Sequence, residues 1–328
     1  MKFRQLGKTG FNISEISLGT WQVGGKWGTG FDHKLAGQIL RAGLDEGINF
    51  IDTADVYEAG ESETAVGKVL KQINDRIYVA TKCGRQINPH VSEGYTPKAL
   101  RGYVEESLNR LDVECIDLIQ LHCPPTEVYY RPEIFGEFEK LKQEGKILNL
   151  GVSVEKIEQA IKAIEFDNVT TVQIIYNVFR RRPHELFFKL AEERNVGIIV
   201  RVPLASGLLT GKFSIESKFD EGDHRFFNRD GNAFDKGETF SGIPFEVGLE
   251  AVDKLRQVIP NDFRLLDMAL KWILMKPEVS CIIPGASKVD QVTSNVVASE
   301  LPDLNQNQIA AVDRIYDEYV KEYVHHLW

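Results

Sequence analysis

Eight short apolar runs rich in β-branched residues recur along the 328-residue chain, and most of them are separated by an amphipathic stretch. This alternation of strand and helix signals predicts an α/β fold whose parallel sheet is buried on both faces. Eight such units are the number that closes into a (β/α)8 TIM barrel. The main alternative, a doubly wound open sheet, is disfavoured because the first run is followed by GTWQVG and not by the dinucleotide fingerprint G-x-G-x-x-G.

The elements of the repeat are read from apolar runs and from apolar residues at three- and four-residue spacing. The predicted strands are Ile16–Leu18, Ile48–Ile51, Ile77–Ala80, Ile116–Leu121, Leu148–Val152, Thr171–Ile175, Gly197–Val202 and Ser280–Ile283. The predicted helices include His33–Glu46, Ser62–Ile73, Pro97–Leu111, Ile134–Glu144, Glu155–Glu165 and Glu185–Arg194. Helical spacing also continues after the eighth unit, over Gln306–Tyr323.

Two segments lie outside the repeat. Residues 1–14 contain Gly7 and Gly10 between short β-prone pieces, which predicts a hairpin that plugs one end of the barrel. The stretch Lys212–Gly242 is rich in Gly, Asp and Phe without periodicity, which predicts a long loop after strand seven. We interpret this loop as a lid or a cofactor clasp, with a surface insertion as the alternative. Because no linker or low-complexity tract interrupts the chain, residues 1–328 are expected to form one barrel domain.

Charge and hydropathy restrict the possible partners. The chain has 39 Lys and Arg against 48 Asp and Glu, a net charge of −9, which disfavours nucleic acid and anionic membranes. No apolar run approaches the roughly 20 residues of a membrane span, and the first residues lack the apolar core of a signal peptide. We therefore expect a cytoplasmic protein.

The cysteines are scattered and form no C-x-x-C pair, so they predict neither a zinc site nor a redox dithiol. We expect reduced, mostly buried thiols and no metal site. The cysteines are Cys83, Cys115, Cys123 and Cys281.

Polar residues follow the apolar runs, and in a barrel the active site lies at the carboxyl ends of the strands. Asp52, Lys82 and His122 end three consecutive runs, and Tyr57 lies in the loop after the first of them. Each residue alone has an ordinary structural explanation, but together they would pair with one another in a desolvated site. There Lys82 would stabilise the phenolate of Tyr57, Asp52 would keep Lys82 charged, and His122 would orient a carbonyl oxygen. This set predicts proton transfer to a carbonyl, which needs an external hydride donor.

Three motifs are similar to those of the aldo-keto reductases. They are LGTW at 18–21, GINFIDTAD at 47–55 with Tyr57 beyond it, and GLLTGK at 207–212, and the likeness extends to IPGAS at 283–287. The resemblance implies a (β/α)8 barrel, a tetrad of Asp52, Tyr57, Lys82 and His122, and a nicotinamide cofactor across the barrel mouth. It also implies that Tyr57 is the proton donor.

The same resemblance implies a set of cofactor ligands. Ser153 and Gln173 would hold the nicotinamide carboxamide, Trp21 would wall the substrate pocket, and the turn at 207–212 would approach the pyrophosphate. The full implied set is Thr20, Trp21, Asp52, Ser153, Gln173, Arg201, Pro203, Leu204, Gly207, Leu208, Gly211, Lys212, Gly285, Ser287, Lys288, Gln291 and Asn295.

The sequence departs from the family pattern at three positions. Gln291 stands where many relatives have Arg, so Lys288, with Ser287, would be the main partner of a 2′-phosphate. Val154 stands where Asn is frequent, and Arg201 stands where an aromatic residue often stacks on the nicotinamide. The Arg201 guanidinium would either stack on that ring or turn aside to a loop carboxylate or the substrate.

The function that follows is NADPH-dependent reduction of small aldehydes and ketones, with NADH as a possible second cofactor. The alternative is a slowly turning redox-sensing barrel that resembles ion-channel β subunits. Trp21, Tyr57 and the long loop favour hydrophobic carbonyls over free sugars as substrates.

Overall fold

The computed structural model describes residues 1–25, 30–259 and 263–328, and its centre is one curled sheet of eight parallel strands. These strands are β3 (Leu18–Gly19), β4 (Phe50–Asp52), β5 (Tyr78–Cys83), β6 (Ile116–His122), β7 (Ile147–Ser153), β8 (Val169–Ile175), β9 (Gly197–Arg201) and β10 (Val279–Ile282). Their order in the sheet is their order in the sequence. The predicted eight-stranded α/β barrel is confirmed.

The two edges of this sheet meet around β3 and β10. Parallel bridges join Ile16 to Ile282 and Gly19 to Gly285. A Cβ atom at Gly19 would lie only 2.8 Å from the carbonyl oxygen of Ile283, so the close approach of the two edges requires glycine there.

The predicted hairpin is present at the amino-terminal end of the strands. It pairs β1 (Phe3–Gln5) with β2 (Asn12–Ser14) in antiparallel register. Its buried apolar side chains share one cluster with residues from the barrel strands, so the hairpin closes this end of the barrel. The cluster includes Leu6, Phe11, Ile13, Phe50, Ala80, Leu118, Ile199 and Cys281.

Helices cover the outside of the sheet, and each of the six predicted between strands is present, one with the predicted bounds and five with ends moved by up to three residues. They are α1 (His33–Asp45), α2 (Glu61–Leu70), α3 (Pro97–Leu111), α4 (Pro132–Gln143), α5 (Ile157–Ala163) and α6 (Phe187–Glu193). A further helix, α10 (Val289–Val296), follows β10.

The segment between β9 and β10 holds more helix than the sequence predicted. The long loop contains the short helix α7 (His224–Phe227), and α8 (Phe245–Val258) and α9 (Leu265–Leu274) follow it. Nine of the ten α9 residues are buried, so α9 lacks the polar face on which a periodicity argument depends.

The helical stretch predicted at 306–323 is divided in the structure. It consists of α11 (Gln306–Ile315), a π-helical turn (Tyr316–Val320) and α12 (Lys321–Val324). Within the described ranges, no helix is both long and apolar enough to cross a membrane.

Candidate active site

The carboxyl ends of the strands bring the predicted polar residues into one row. In the sheet register, Lys82 of β5 lies beside Gln120 of β6, and His122 lies beside Ser153 of β7. Ser153 in turn lies beside Gln173 of β8. Side chains two residues apart on a strand share a face, so Gln120 and His122 both project to the same side of β6.

Lys82 is the centre of the buried network. Its ammonium donates hydrogen bonds to Asp52 Oδ1 at 2.5 Å, to the carbonyl oxygen of Thr53 at 2.8 Å and to the Tyr57 hydroxyl oxygen at 3.1 Å. These three bonds use all three of its N–H groups. Burial acts to lower the pKa of Lys82, but Asp52 and Tyr57 outweigh it and the pKa is raised, so the ammonium is charged.

Asp52 is held from its other side by two amides. Its Oδ2 atom accepts hydrogen bonds from Gln120 Nε2 at 2.9 Å and from Gln173 Nε2 at 2.8 Å. Gln173 Nε2 also donates to Gln120 Oε1 at 3.2 Å. Within residues 1–25, 30–259 and 263–328, the amide oxygen of Gln173 accepts no hydrogen bond, so it is available as an acceptor. Gln120 was not among the predicted site residues, although its place two residues before His122 was a usable signal.

Tyr57 projects from the loop after β4 toward His122 and Trp21. Its ring centroid lies 6.0 Å from that of His122, edge to face, and 6.3 Å from that of Trp21. Burial raises the pKa of Tyr57, while Lys82 lowers it and Asp52 raises it. From the sequence, only the effect of Lys82 on this pKa was predictable. In the structure the effect of burial is larger, and the phenol is therefore protonated at neutral pH.

His122 is neutral in this environment. Burial lowers its pKa well below the usual value, and the positive charges of Lys82, Arg85 and Arg201 lower it further. Its Nδ1 atom is buried and has no hydrogen-bond partner within the part of the chain that the structure describes. A neutral imidazole can donate one hydrogen bond without competing with Tyr57 as the acid.

A cavity of about 1090 Å³ opens above these residues and extends to α10. Most of the predicted site residues line it: Thr20, Trp21, Asp52, Tyr57, His122, Ser153, Gln173, Arg201, Pro203, Leu204, Gly207, Lys212, Gly285, Lys288, Gln291 and Asn295. Lys82 lies beneath Asp52 and Tyr57. Leu208 and Gly211 do not reach the cavity wall, and Ser287 lines a neighbouring cavity of about 280 Å³.

At the α10 end of the cavity, the expected cofactor ligand Gln291 already has a partner within the protein. Gln291 Oε1 accepts hydrogen bonds from the backbone N–H and the hydroxyl of Ser287, at 2.7 and 3.3 Å, so it braces that loop. Lys288 is exposed beside it. Arg264 was not among the predicted site residues. It lines this end, donates to Ser294 Oγ at 2.8 Å and pairs with Asp267 at 2.5 Å.

Arg201 is buried and turned toward the long loop. Its Nη1 atom pairs with Glu238 at 2.5 Å, and its Nη2 atom donates to the Val154 carbonyl oxygen at 2.9 Å. A loop carboxylate was one of the two arrangements that the sequence left open for Arg201. Burial acts to raise the pKa of Glu238, but Arg201 and other cations outweigh it and hold that pKa below its usual value. Glu238 was missed because a long loop brings it to β9 by a tertiary contact.

One group of potential metal ligands lies near this ion pair. Cys123, Glu155 and Glu238 have ligand atoms within 4.8 Å of one another. Arg201 pairs with Glu238, and Arg85 lies 3.5 Å from Glu155. Arg201 therefore already neutralises Glu238, and Arg85 adds a positive charge at a longer distance from Glu155, which disfavours a metal ion at this group.

Comparison with known proteins agrees with this geometry. The family model described as the aldo/keto reductase family matches residues 15–317, so the chain belongs to that family of oxidoreductases. It is 33% identical to the aldo-keto reductase YhdN of Bacillus subtilis, over 89% of this chain and 87% of the relative. The glycerol dehydrogenase AKR11B4 of Gluconobacter oxydans superposes with a TM-score of 0.80 at 32% identity, over 97% of this chain and 96% of the other. A putative voltage-gated potassium channel β subunit of Schizosaccharomyces pombe is 31% identical, over 95% and 92% of the two chains.

Proposed function

We propose that this protein reduces small aldehydes and ketones to alcohols with NADPH, and that Tyr57 is the proton donor. The observation that carries the proposal is the Lys82 ammonium, which contacts both Asp52 and the Tyr57 hydroxyl at the floor of the large cavity. A buried lysine that is charged, fully hydrogen-bonded and joined to a phenol is suited to stabilise the phenolate that proton donation leaves behind.

In the proposed reaction, the substrate carbonyl oxygen lies between the Tyr57 hydroxyl and the His122 ring. His122 donates a hydrogen bond that orients and polarises the carbonyl. Tyr57 transfers its proton to the carbonyl oxygen, and the negative charge that forms on the phenol oxygen faces Lys82. Asp52 keeps Lys82 charged throughout. The reduced nicotinamide, when bound, supplies the hydride to the carbonyl carbon.

The cavity fits a dinucleotide together with a substrate. Its volume of about 1090 Å³ exceeds the roughly 300–1,000 Å³ of ordinary small-molecule pockets. Near the tetrad, the Ser153 hydroxyl and the free amide oxygen of Gln173 would hold the nicotinamide carboxamide. Gly207 has a φ of +97° in the turn Ala205–Thr210, a conformation that favours glycine and lets backbone N–H groups approach a pyrophosphate.

The preference for NADPH over NADH rests on the cations at the α10 end. Lys288 is exposed on the cavity wall, where an ammonium would meet a 2′-phosphate. Arg264 lines the same end and adds a second cation, although Asp267 partly neutralises it. NADH remains the weaker second cofactor in this proposal.

The decisive experiment measures steady-state NADPH oxidation with an aromatic aldehyde, for the wild type and for Tyr57→Phe. Because the substitution removes the donor and keeps the ring, turnover should fall by at least about 100-fold while the dissociation constant of NADPH barely changes. Tyr130→Phe, at an exposed tyrosine, is the matched control. A Tyr57→Phe rate within a few-fold of wild type would remove Tyr57 from the role of acid.

The similarity to a potassium channel β subunit supports a second candidate, a barrel that oxidises one bound NADPH slowly. Rapid mixing separates the two functions. A reductase continues at a constant rate for many turnovers, whereas a slow sensor stops after one equivalent of NADPH per protein. We favour the reductase because the tetrad is complete.

A further inference from the structure

Arg85 lines the catalytic end of the cavity but takes no part in the tetrad. It follows β5 by two residues, and its side chain is 23% exposed. Among the contacts that the structure describes, its guanidinium makes no hydrogen bond, and the Glu155 carboxylate that faces it is 3.5 Å away. That distance is long for a charge-assisted hydrogen bond, which normally measures about 2.7–2.9 Å. The donors of Arg85 are therefore available to a ligand.

The three cations that act on His122 differ in how close their carboxylate partners lie. Lys82, Arg85 and Arg201 each act on the imidazole as positive charges. Lys82 has Asp52 at 2.5 Å and Arg201 has Glu238 at 2.5 Å, whereas Arg85 has Glu155 at 3.5 Å. Glu238 also acts on Arg85 through space, but its carboxylate is held by Arg201. Of the three cations, Arg85 therefore has the most distant carboxylate contact, and its guanidinium can take a closer anionic partner.

Aromatic rings form the wall between the tetrad and this arginine. The Trp21 ring lies 6.3 Å from Tyr57 and 4.9 Å from His224, centroid to centroid. Phe234 continues the wall, and the Arg85 guanidinium lies 5.9 Å from its ring centre. A ligand here meets hydrogen-bonding groups at one end, aromatic surface along its length and a cation at the other end.

We propose that the substrate is an anionic carbonyl compound, with its carbonyl oxygen at Tyr57 and His122 and its carboxylate or phosphate on Arg85. The inference rests on the proposed reductase function and names the substrate class for it. A planar guanidinium receives either anionic group through two parallel hydrogen bonds. On binding, Arg85 exchanges its long contact with Glu155 for a short one with the substrate.

This exchange makes Glu155 a competitor of the substrate. Glu155 lies outside the cavity wall and is 23% exposed, so its neutral isostere, Glu155→Gln, frees Arg85 without removing a wall residue. Arg85→Gln and Glu155→Gln should thus act in opposite directions on anionic substrates. If the two residues served only to stabilise the fold as an ion pair, breaking the pair from either side would act in the same direction.

The test compares three substrates that differ at one position: 4-carboxybenzaldehyde, its neutral methyl ester, and 4-formylphenyl phosphate. The measured quantity is kcat/KM for each anion divided by kcat/KM for the ester, which cancels general effects on turnover. The wild-type ratio should exceed one for at least one anion, and comparison of the two anions identifies the preferred group. Arg85→Gln should lower that ratio by about 10-fold or more, the scale of one charge-assisted contact.

Glu155→Gln should raise the ratio, and Arg182→Gln, which breaks a surface ion pair with Glu158, should leave it unchanged. The proposal is overturned if the wild type prefers the ester to both anions, or if Arg85→Gln leaves the ratio unchanged. It is also overturned if both variants shift the ratio in one direction. Should Arg85→Gln fail to fold, the wild-type ratio and Glu155→Gln decide. Absence of turnover of all three aldehydes by the wild type would instead count against the reductase function itself.

Discussion

Arg201 Nη2 donates a hydrogen bond to the backbone carbonyl of Val154, 2.9 Å away. Both residues are positions at which we expect the chain to depart from the family pattern, and the structure places them in contact. Glu238 holds the opposite edge of the guanidinium. With Nη1 and Nη2 both held and Nε buried, a nicotinamide ring would meet a face of the guanidinium, and the paired carboxylate would offset much of its charge.

The first prediction concerns the charge that the nicotinamide meets. Replacing Glu238 with Gln unmasks the Arg201 charge, which repels the cationic oxidised ring and spares the neutral reduced ring. The dissociation constant of NADP⁺ should rise relative to that of NADPH by roughly 5-fold, equivalent to ~1 kcal/mol in a partly desolvated site. Fluorescence titration of both cofactor forms measures the ratio.

Arg201→Tyr is the companion variant for the same ratio. It removes the positive charge and supplies an aromatic face, so it should tighten NADP⁺ relative to NADPH. If neither variant changes the ratio, Arg201 does not face the nicotinamide, and its role is limited to anchoring the long loop through Glu238.

The second prediction concerns the buried pair of Lys82 and Asp52. Lys82→Met leaves the Asp52 carboxylate buried with only amide donors, so stability and turnover should fall together. A buried pair broken from one side typically costs about 3–5 kcal/mol in free energy of unfolding. Urea unfolding and steady-state rates measure the two effects.

Two further variants separate stability from chemistry at this pair. Adding Asp52→Asn to Lys82→Met removes the uncompensated charge, so stability should partly return while activity stays absent. Lys271→Met is the control, because Lys271 is also buried but its partner Asp303 is 72% exposed to water. Full stability in Lys82→Met would contradict the proposed coupling.

The tetrad could be predicted from the sequence because strand order and strand ends determine its position. Asp52 and His122 end β4 and β6, and Lys82 lies one residue before the end of β5 between them. Parallel strands meet at a common edge, so the three side chains come together. Gln120 was missed because a single polar residue inside an apolar run gives no signal unless the face of the strand is counted.

Other contributors depend on contacts that no local pattern specifies. Glu238 reaches Arg201 through a long aperiodic loop, and Arg264 reaches the cavity from the start of α9. The direction of the Tyr57 pKa shift was also not predicted. Burial is its largest cause, and the degree of burial is a property of the folded chain that the charge of Lys82 alone does not indicate.

The third prediction concerns cofactor choice. Lys288→Ala removes the exposed ammonium proposed to meet the 2′-phosphate, so the dissociation constant of NADPH should rise about 10-fold more than that of NADH. Lys321→Ala, which breaks a surface pair with Asp317, serves as the control and should alter neither constant. Equal weakening of both cofactors would exclude Lys288 as the phosphate ligand.

The last prediction concerns the pH dependence of stability through Asp55, a buried carboxyl three residues after Asp52. Burial and then the charge of Glu63 raise the pKa of Asp55 from 3.8 to about 7. The folded state therefore binds this proton more tightly than the unfolded state does. Below pH 3.8 the carboxyl is protonated in both the folded and the unfolded state, so it does not lower the free energy of unfolding. As pH rises to about 7, the free energy of unfolding falls by up to about 4 kcal/mol, and above that pH the loss is constant.

Asp55→Asn carries no titrating proton, so its stability advantage over wild type should grow between pH 5 and pH 8. Urea unfolding at both pH values measures this difference, with the exposed Asp75→Asn as the control. A stability difference between Asp55→Asn and wild type that is the same at pH 5 and pH 8 would show that Asp55 is ionised at both.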